Sequence, residues 1–325
     1  MMGLFEIIYY LGYKAKTAYD LKRQRRLPAR VISIGNITSG GTGKTPAAIA
    51  VAMEAKRRGL SPCVLTRGYK GRLRGPVRVT PDMKASDVGD EPLLMCRSLG
   101  DIPVVKGADR YASGIYALDH LDPKPDIFVL DDGFQHRKLY RDMDVLLVNS
   151  RNPFDNGKLL PVGLLREPLR EIRRADVVVI TKKADRNSVK LKEAIRGFNP
   201  GAPIFDAGYK LAAVVDASGE RRPIEWLAGK DVYAFCGLGE PGSFRDSLLR
   251  AGARVRGFKP FSDHYRYSQS DIQKLSREAH MKGAPWIITT EKDIMRLGGI
   301  EAPENLLTLA IEFAVGEGLF EKLFK

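Results

Sequence analysis

The 325-residue chain carries 53 Lys and Arg against 39 Asp and Glu, a net charge of +14, with 44% hydrophobic and 28% charged residues. This is an ordinary globular mixture of about two domains' length, which excludes a disordered or fibrous class, and no run approaches the roughly 20 apolar residues of a spanning helix. The basic excess implies anionic partners, while Cys63, Cys96 and Cys236, far apart and without a CxxC pair, suggest neither a zinc site nor a disulfide framework and fit a reducing cytoplasm.

The N-terminal stretch, MMGLFEIIYYLGYKAKTAYDLKRQRR, places Leu4, Ile8, Leu11, Ala15 and Ala18 on one helical stripe. Residues 1–30 hold seven basic and two acidic side chains, net +5. Glu6 interrupts the apolar part and no cleavage site follows, so a signal peptide is not expected. An amphipathic helix on an anionic membrane surface fits better, each basic residue near the surface contributing roughly 1 kcal/mol. The plainer alternative is a helix that packs its apolar stripe on its own protein.

Val31–Thr45, VISIGNITSGGTGKT, is the stretch around which the rest of the chain is organised. Ile32 and Ile34 mark a buried strand, Gly40, Gly41 and Gly43 free the backbone to curl, and Lys44-Thr45 opens a helix through Pro46. It reads as a phosphate-binding loop of Thr38, Ser39, Gly40, Gly41, Thr42, Gly43, Lys44 and Thr45. Successive N–H groups and a helix N-terminus favour an anion, Lys44 would reach the β- and γ-phosphates, and the Thr45 hydroxyl would hold Mg2+. Thr38 stands where the general Walker pattern has a glycine.

A helix to Arg58 and a strand at Pro62–Thr66 give β-α-β order. Arg67-Gly68-Tyr69-Lys70 follows, and residues 67–78 carry five basic residues and no acid. A basic loop at the carboxyl end of a parallel strand is where such folds bind ligands, so contact with an anionic substrate is expected there. Gly89-Asp90-Glu91-Pro92 precedes a leucine-rich helix, and Asp109-Arg110-Tyr111 starts another. The strand Asp126–Leu130 ends in Asp131-Asp132-Gly133-Phe134-Gln135-His136, and an apolar run closing on an acid resembles a Walker B strand, with Asp131 serving Mg2+. Strands at Asp144–Asn149 and Asp176–Thr181 continue the series, separated by Leu165-Arg166-Glu167-Pro168.

The first domain is expected to close near residue 204. Phe205–Val215 reads as a ribbon connector, and a smaller α/β unit follows with strands at Val232–Cys236, Arg254–Phe258 and Trp286–Thr290. The final strand, Leu306–Ile311, would run back beside the connector and make the joint a two-strand hinge. Gly237–Gly242 satisfies GxGxxG, but the next strand ends in Lys259 rather than an acid, so no dinucleotide site is expected. Ser262-Asp263-His264-Tyr265 sits after a strand, where a catalytic histidine could project.

With SIGNITSGGTGKTP, LTRGYKG, GDEP, DRY, LDDGFQHR, LLREPLRE, GLGEP and DHY in this order, the chain resembles the tetraacyldisaccharide 4'-kinase family almost end to end. The resemblance implies two α/β/α sandwich domains, the first P-loop NTPase-like (1–204) and the second smaller (205–325), joined by the two-strand hinge. It also implies ATP-dependent phosphorylation of the 4'-hydroxyl of tetraacyldisaccharide 1-phosphate in lipid A synthesis, with Mg2+, peripherally at the cytoplasmic face of the inner membrane. Nucleic acid is not an expected partner. By the same resemblance Asp90 is the base and His264 its partner, with Lys44 stabilising the transferring group and Thr45, Asp131 and Asp132 serving the metal. Asn36, Arg67, Tyr69, Arg110, Gln135 and His136 are expected around the substrate head, and Glu167 as a further metal or hinge contact. Two rivals stand beside this reading. One is a nucleotide-switched ATPase of the KGGxGKT class, whose leading lysine is Ser39 here. The other is a non-enzymatic membrane or nucleic-acid binder explained by charge alone, which would leave the Lys-Thr loop idle.

Overall fold

The computed structural model describes residues 3–181 and 188–325. Helix α1 (Leu4–Lys22) leads into β1 (Arg30–Gly35), and α2 (Lys44–Arg57) follows the glycine-rich loop. Next come β2 (Pro62–Thr66), β3 (Val77–Arg78), α3 (Ala85–Val88), α4 (Asp90–Leu99), β4 (Val104–Lys106) and α5 (Arg110–His120). β5 (Ile127–Asp131), β6 (Met143–Asn149), β7 (Val177–Thr181) and α6 (Ser188–Phe198) complete the first half. The long β8 (Ile204–Asp216) and the short β9 (Arg221–Arg222) lead to β10 (Asp231–Cys236), α7 (Pro241–Arg250), β11 (Arg254–Pro260) and α8 (Gln269–Met281). β12 (Trp286–Thr290), α9 (Glu291–Arg296), β13 (Leu306–Val315) and α10 (Glu317–Phe324) close the chain.

The fold is two α/β/α layers sharing one continuous sheet, in the order β11-β10-β12-β13-β8-β7-β6-β1-β5-β2-β4-β3. Residues 31–35, 62–66, 127–131 and 177–181 are buried along their whole length, which is why these strands read as largely apolar runs without polar alternation. One face packs on α2 and α4 through Ala48, Val51, Ala52, Leu93 and Met95. The other is covered in part by α5 and in part by α6, with Leu191 and Ile195 against Val178 and Ile180. In the second unit, Phe244 and Leu248 of α7 cover one face and Ile272, Leu275 and Ala279 of α8 the other.

β8 is the joint. Its residues 204–206 pair in parallel with β7, and residues 207–216 pair antiparallel with β13 from Val315 back to Leu307. The hinge therefore fuses the two sheets into one, and β13 runs to Val315 rather than ending at Ile311. The C-terminal helix departs from the expected division at 205–325. Leu319 and Leu323 of α10 join the core beneath α2, and Arg58 pairs with Glu321, so the last helix returns to the first unit.

Helix α1 packs the opposite way to an ordinary surface helix. Its inward positions are Glu6, Tyr9, Tyr10, Tyr13, Thr17 and Asp20, whereas Leu4, Phe5, Ile8 and Leu11 are 58–70% exposed. The alternative of an apolar stripe buried on its own protein is thereby excluded. Polar bonds hold the inner face: Leu159 N–H donates to Glu6 at 3.0 Å, and the Tyr9 hydroxyl donates to the Arg166 carbonyl at 3.0 Å. Beneath them the fully buried Glu167 pairs with Arg137 and Arg174, and Arg137 also donates to the Tyr13 hydroxyl at 2.9 Å. Removing one member of a buried ion pair strands its partners at a cost of about 3–5 kcal/mol. Glu167→Ala should lower the unfolding free energy by about that amount in urea titration and speed proteolysis within α1.

Candidate active site

β1 and β5 are parallel neighbours, with Ile34 opposite Asp131, so the glycine-rich loop leaves the sheet beside the acid that ends β5. α2 starts at Lys44 with no side-chain cap on its N-terminus and no acid in its first turn. Its first N–H groups and its partial positive charge are thus available to an anion. Gly43 has φ +81°, and a Cβ there would lie 1.3 Å from the Tyr209 hydroxyl, so only glycine fits. The loop is braced from outside itself. Ser39 N–H donates to the Leu164 carbonyl at 2.7 Å, Arg166 N–H donates to Ile37 at 2.7 Å, and the Tyr209 and Thr181 hydroxyls both donate to the Thr42 carbonyl.

At the mouth of the loop, Lys44 Nζ lies 3.2 Å from Asn36 Oδ1 and 3.6 Å from Asp132 Oδ1. Arg166 donates to both Asp132 oxygens, at 2.8 and 3.1 Å. Burial acts to raise the Asp132 carboxyl, but Lys44 and Arg166 outweigh it and hold the group below its ordinary range. Asp131 is the opposite case. It is buried, its Oδ2 accepts from the Thr66 hydroxyl at 3.1 Å, and among the described residues its Oδ1 has no hydrogen-bond partner. Burial first, then Glu91 and Asp132, push its carboxyl up to about 7.

The surrounding basic groups are also buried. Arg110 is 3% exposed, and desolvation brings it down to about 10 against the pull of Asp131 and Asp132. His136 is pushed down to about 3 by burial and by Arg110, so it is neutral at physiological pH. Gln135 donates to the Asn36 carbonyl at 2.8 Å and to Glu167 at 2.7 Å. Arg67 and Tyr69 lie exposed on the loop after β2, with the Tyr69 ring 5.9 Å from that of His264.

Across the cleft the second unit supplies three side chains to the first turn of α4. His264 Nδ1 lies 3.0 Å from Asp90 Oδ2, Arg296 donates to the same oxygen through Nε at 2.8 Å and Nη2 at 2.6 Å, and Lys292 pairs with Glu91. His264 has φ +59° and Asp132 φ +51°, left-handed conformations that side chains other than glycine seldom adopt. Burial works to raise the Asp90 carboxyl, yet the His264 contact and the Arg296 charge hold it well below the usual carboxylate range.

The model of the family described as tetraacyldisaccharide-1-P 4'-kinase matches residues 2–325. A tetraacyldisaccharide 4'-kinase of Syntrophus aciditrophicus is 39% identical over 319 residues, covering 93% of this chain and 85% of its own. The chain belongs to the tetraacyldisaccharide 4'-kinase family. The Geobacter metallireducens relative is 38% identical over 96% of this chain and 92% of its own. The crystal structure of LpxK from Aquifex aeolicus in complex with ATP superimposes with a TM-score of 0.78 at 34% identity, covering 98% of this chain and 96% of that one.

Within this kinase, Lys44, Asn36, Asp131, Asp132, Arg110, Gln135 and His136 gather at the carboxyl ends of β1, β4 and β5. Asp90 and His264 meet although 174 residues separate them. Glu167 departs from its expected role. Arg137, Arg174 and Gln135 occupy its carboxylate beneath α1, so a metal contact there is not supported and it is a structural anion. Arg166, Tyr209, Lys292 and Arg296 lay outside the residues singled out from sequence. Arg166 stood within LLREPLRE, but its reach to Asp132 depends on the bridge between Thr38 and Leu165.

The raised Asp131 carboxyl makes a stability prediction for the protein free of nucleotide and metal. Between about pH 4 and pH 7 the folded state keeps a proton that the unfolded chain has lost, so this group's contribution to stability falls as pH rises. Asp131→Asn should flatten that decline and leave the nucleotide-free protein more stable than wild type at pH 8, by a few kcal/mol in urea titration.

Proposed function

We propose that this chain transfers the γ-phosphoryl group of ATP to the 4'-hydroxyl of tetraacyldisaccharide 1-phosphate, a step of lipid A synthesis, from the cytoplasmic surface of the inner membrane. The observation that carries the reading is the pairing of an uncapped helix N-terminus bearing Lys44 with an acid, Asp90, gripped from the opposite unit by His264. Phosphoryl transfer passes through a loose transition state, so alignment and charge neutralisation matter more than a strong base. Lys44 and the uncapped N–H groups that open α2 hold the transferring group. Asp90 is ionised at neutral pH and accepts the hydroxyl proton late in the transfer, with His264 orienting it.

The residues suit Mg2+. Among the described residues no group of three or more His, Cys, Asp or Glu could hold a metal by itself. The buried Asp131 Oδ1 beside the loop nevertheless has no hydrogen-bond partner among the described residues and suits a cation, and the phosphates of a nucleotide would complete the ligand set. Thr45, Asp131 and Asp132 are the holders, and the ion would neutralise charge on the β- and γ-oxygens. Arg67, Tyr69, Arg110, Asn36, Gln135 and His136 line the approach to the loop and receive the anionic sugar head. We divide the chain near residue 204, where β8 leaves β7 for β13, and assign α10 to the first unit.

Membrane contact follows from α1. No helix among the described residues is long and apolar enough to cross a bilayer, yet the face of α1 that presents Leu4, Phe5, Ile8 and Leu11 is turned away from the protein. An apolar outer face above a basic C-terminal end suits insertion into the headgroup boundary. Replacing Leu4, Phe5, Ile8 and Leu11 with serine should weaken sedimentation with vesicles of anionic phospholipid at least tenfold. ATP turnover on micellar substrate should be kept within about threefold, since these side chains touch no site residue.

The kinase reading is tested by transfer of labelled phosphate from ATP to purified tetraacyldisaccharide 1-phosphate in detergent micelles with Mg2+. Wild type should yield labelled lipid, Lys44→Ala should lose at least about 100-fold in kcat, and Asp90→Asn should lose kcat with little change in the KM for ATP. Steady ATP hydrolysis without labelled lipid would favour the switch ATPase instead.

A further inference from the structure

The donors around Asp90 are distributed unevenly between its two oxygens. Oδ2 accepts from Arg296 twice and faces His264 Nδ1, three nitrogens within 3.0 Å. Among the described residues Oδ1 accepts only the backbone N–H of Glu91, at 3.1 Å. Arg296 is itself immobilised. Its side chain is 7% exposed, and Nη1 donates to the Gly237 carbonyl at 2.9 Å and to Asp293 at 3.0 Å. Asp293 is fully buried and takes further hydrogen bonds from the Gly237 N–H, the Tyr267 hydroxyl and the Thr290 hydroxyl. The guanidinium plane is therefore set by the core of the second unit before it meets Asp90.

We propose that Arg296 is a positioning residue for phosphoryl transfer, anchoring Asp90 through Oδ2 so that Oδ1 is the oxygen that takes the proton of the attacking hydroxyl. The proposal rests on the reading of Asp90 as the base. In the step, the sugar O–H bond breaks as its oxygen bonds the γ-phosphorus, the bond from that phosphorus to the β,γ-bridging oxygen breaks to release ADP, and the proton goes to Oδ1 and then to solvent. A carboxylate free to rotate would offer either oxygen in any orientation, and a misplacement near 1 Å costs about 100-fold in rate. Arg296 removes that freedom only when the two units are together, because it stands on α9 and Asp90 on α4. Lys292, one turn earlier on α9, makes the second tie across the same seam, to Glu91.

Charge acts in the same direction as position. The groups facing Asp90 are His264, Arg296, Glu91 and Lys292, with Asp131 within electrostatic reach of Lys292 and Asp263 4.0 Å from His264 Nε2. Arg296 is the cation in direct contact, so its loss leaves a buried carboxylate that takes up a proton more readily.

The test compares Arg296→Gln, Arg296→Lys, Asp90→Asn and the double variant Asp90→Asn/Arg296→Gln in the full-length enzyme, with kcat and the KM for ATP followed between about pH 5 and pH 9. Arg296→Gln should lower kcat about 100-fold while the KM for ATP stays within about threefold, and the acid limb of the kcat profile should move to higher pH. Arg296→Lys, which keeps charge but not the two-point grip and should melt near wild type, should recover part of the rate. The double variant should be no slower than Asp90→Asn alone by more than about threefold, because both changes act through one group. An unmoved acid limb with multiplicative losses, or a KM for ATP rising in step with the fall in kcat, would overturn the assignment. Near-wild-type turnover in Asp90→Asn would instead remove the base reading on which it stands.

Discussion

The antiparallel pairing of β8 with β13 decides where chemistry can occur in this chain. Each unit is a parallel sheet apart from the short edge strands β3 and β9, and parallel sheets bind ligands at the carboxyl ends of their strands. Had β8 and β13 been parallel, the two carboxyl edges would face the same way and share no cleft. Because β13 runs against β8, β10, β11 and β12 point back toward the first unit. β8 leaves β7 at Asp206 and reaches the level of β12 only beyond Ala213, seven residues and about 23 Å later. That stagger places the loops after β10, β11 and β12 opposite the first turn of α4, and it is why His264 and Arg296 can touch Asp90.

The charge pattern of the cleft follows from this arrangement. The first unit contributes a bare helix N-terminus and Lys44 for an anion, and beside them a buried acid, Asp131, whose Oδ1 has no hydrogen-bond partner among the described residues. Asp132 already lies between Lys44 and Arg166, whereas Asp131 has the Thr66 hydroxyl and, among the described residues, no ion pair. Two neighbouring acids thus sit in different electrostatic surroundings, a distinction that sequence order alone conceals. The second unit brings Arg296 and Lys292 to the first turn of α4, where they offset the charges of Asp90 and Glu91.

Most of the architecture was legible in the residues because it rests on local signals. The buried apolar runs, the glycines before Lys44, Asp109 capping α5 and the long ribbon at residues 205–215 each announce an element within a few positions. His264 was singled out by its place after a strand, but its pairing with Asp90 was reached through a resemblance, since contacts spanning 174 residues leave no local trace. Arg296 and Lys292 were missed for the same reason: on a six-residue helix they read as ordinary surface charges. Glu167 was misread because an acid near a phosphate loop suggests a cation, and only the fold reveals that Arg137 and Arg174 reach it first. α10 was placed in the wrong unit because chain order predicts proximity, whereas Leu319 and Leu323 follow the hydrophobic surface of α2.

α1 joins an exposed apolar face to the phosphate loop. Its buried face is made of tyrosines and two acids rather than aliphatic side chains, so the helix is held by directional bonds, which fix orientation more tightly than apolar contact does. Those bonds land next to the site: Tyr9 on the carbonyl of Arg166, whose side chain grips Asp132, and Tyr13 on Glu167, which Gln135 links to the carbonyl of Asn36. A helix docked by aliphatic packing could slide by a fraction of a turn at little cost. One docked through these hydroxyls cannot move without disturbing Asn36 and Asp132, the two side chains that meet Lys44. The inversion that turns Leu4, Phe5, Ile8 and Leu11 outward is thus the same arrangement that ties the helix to the phosphate loop.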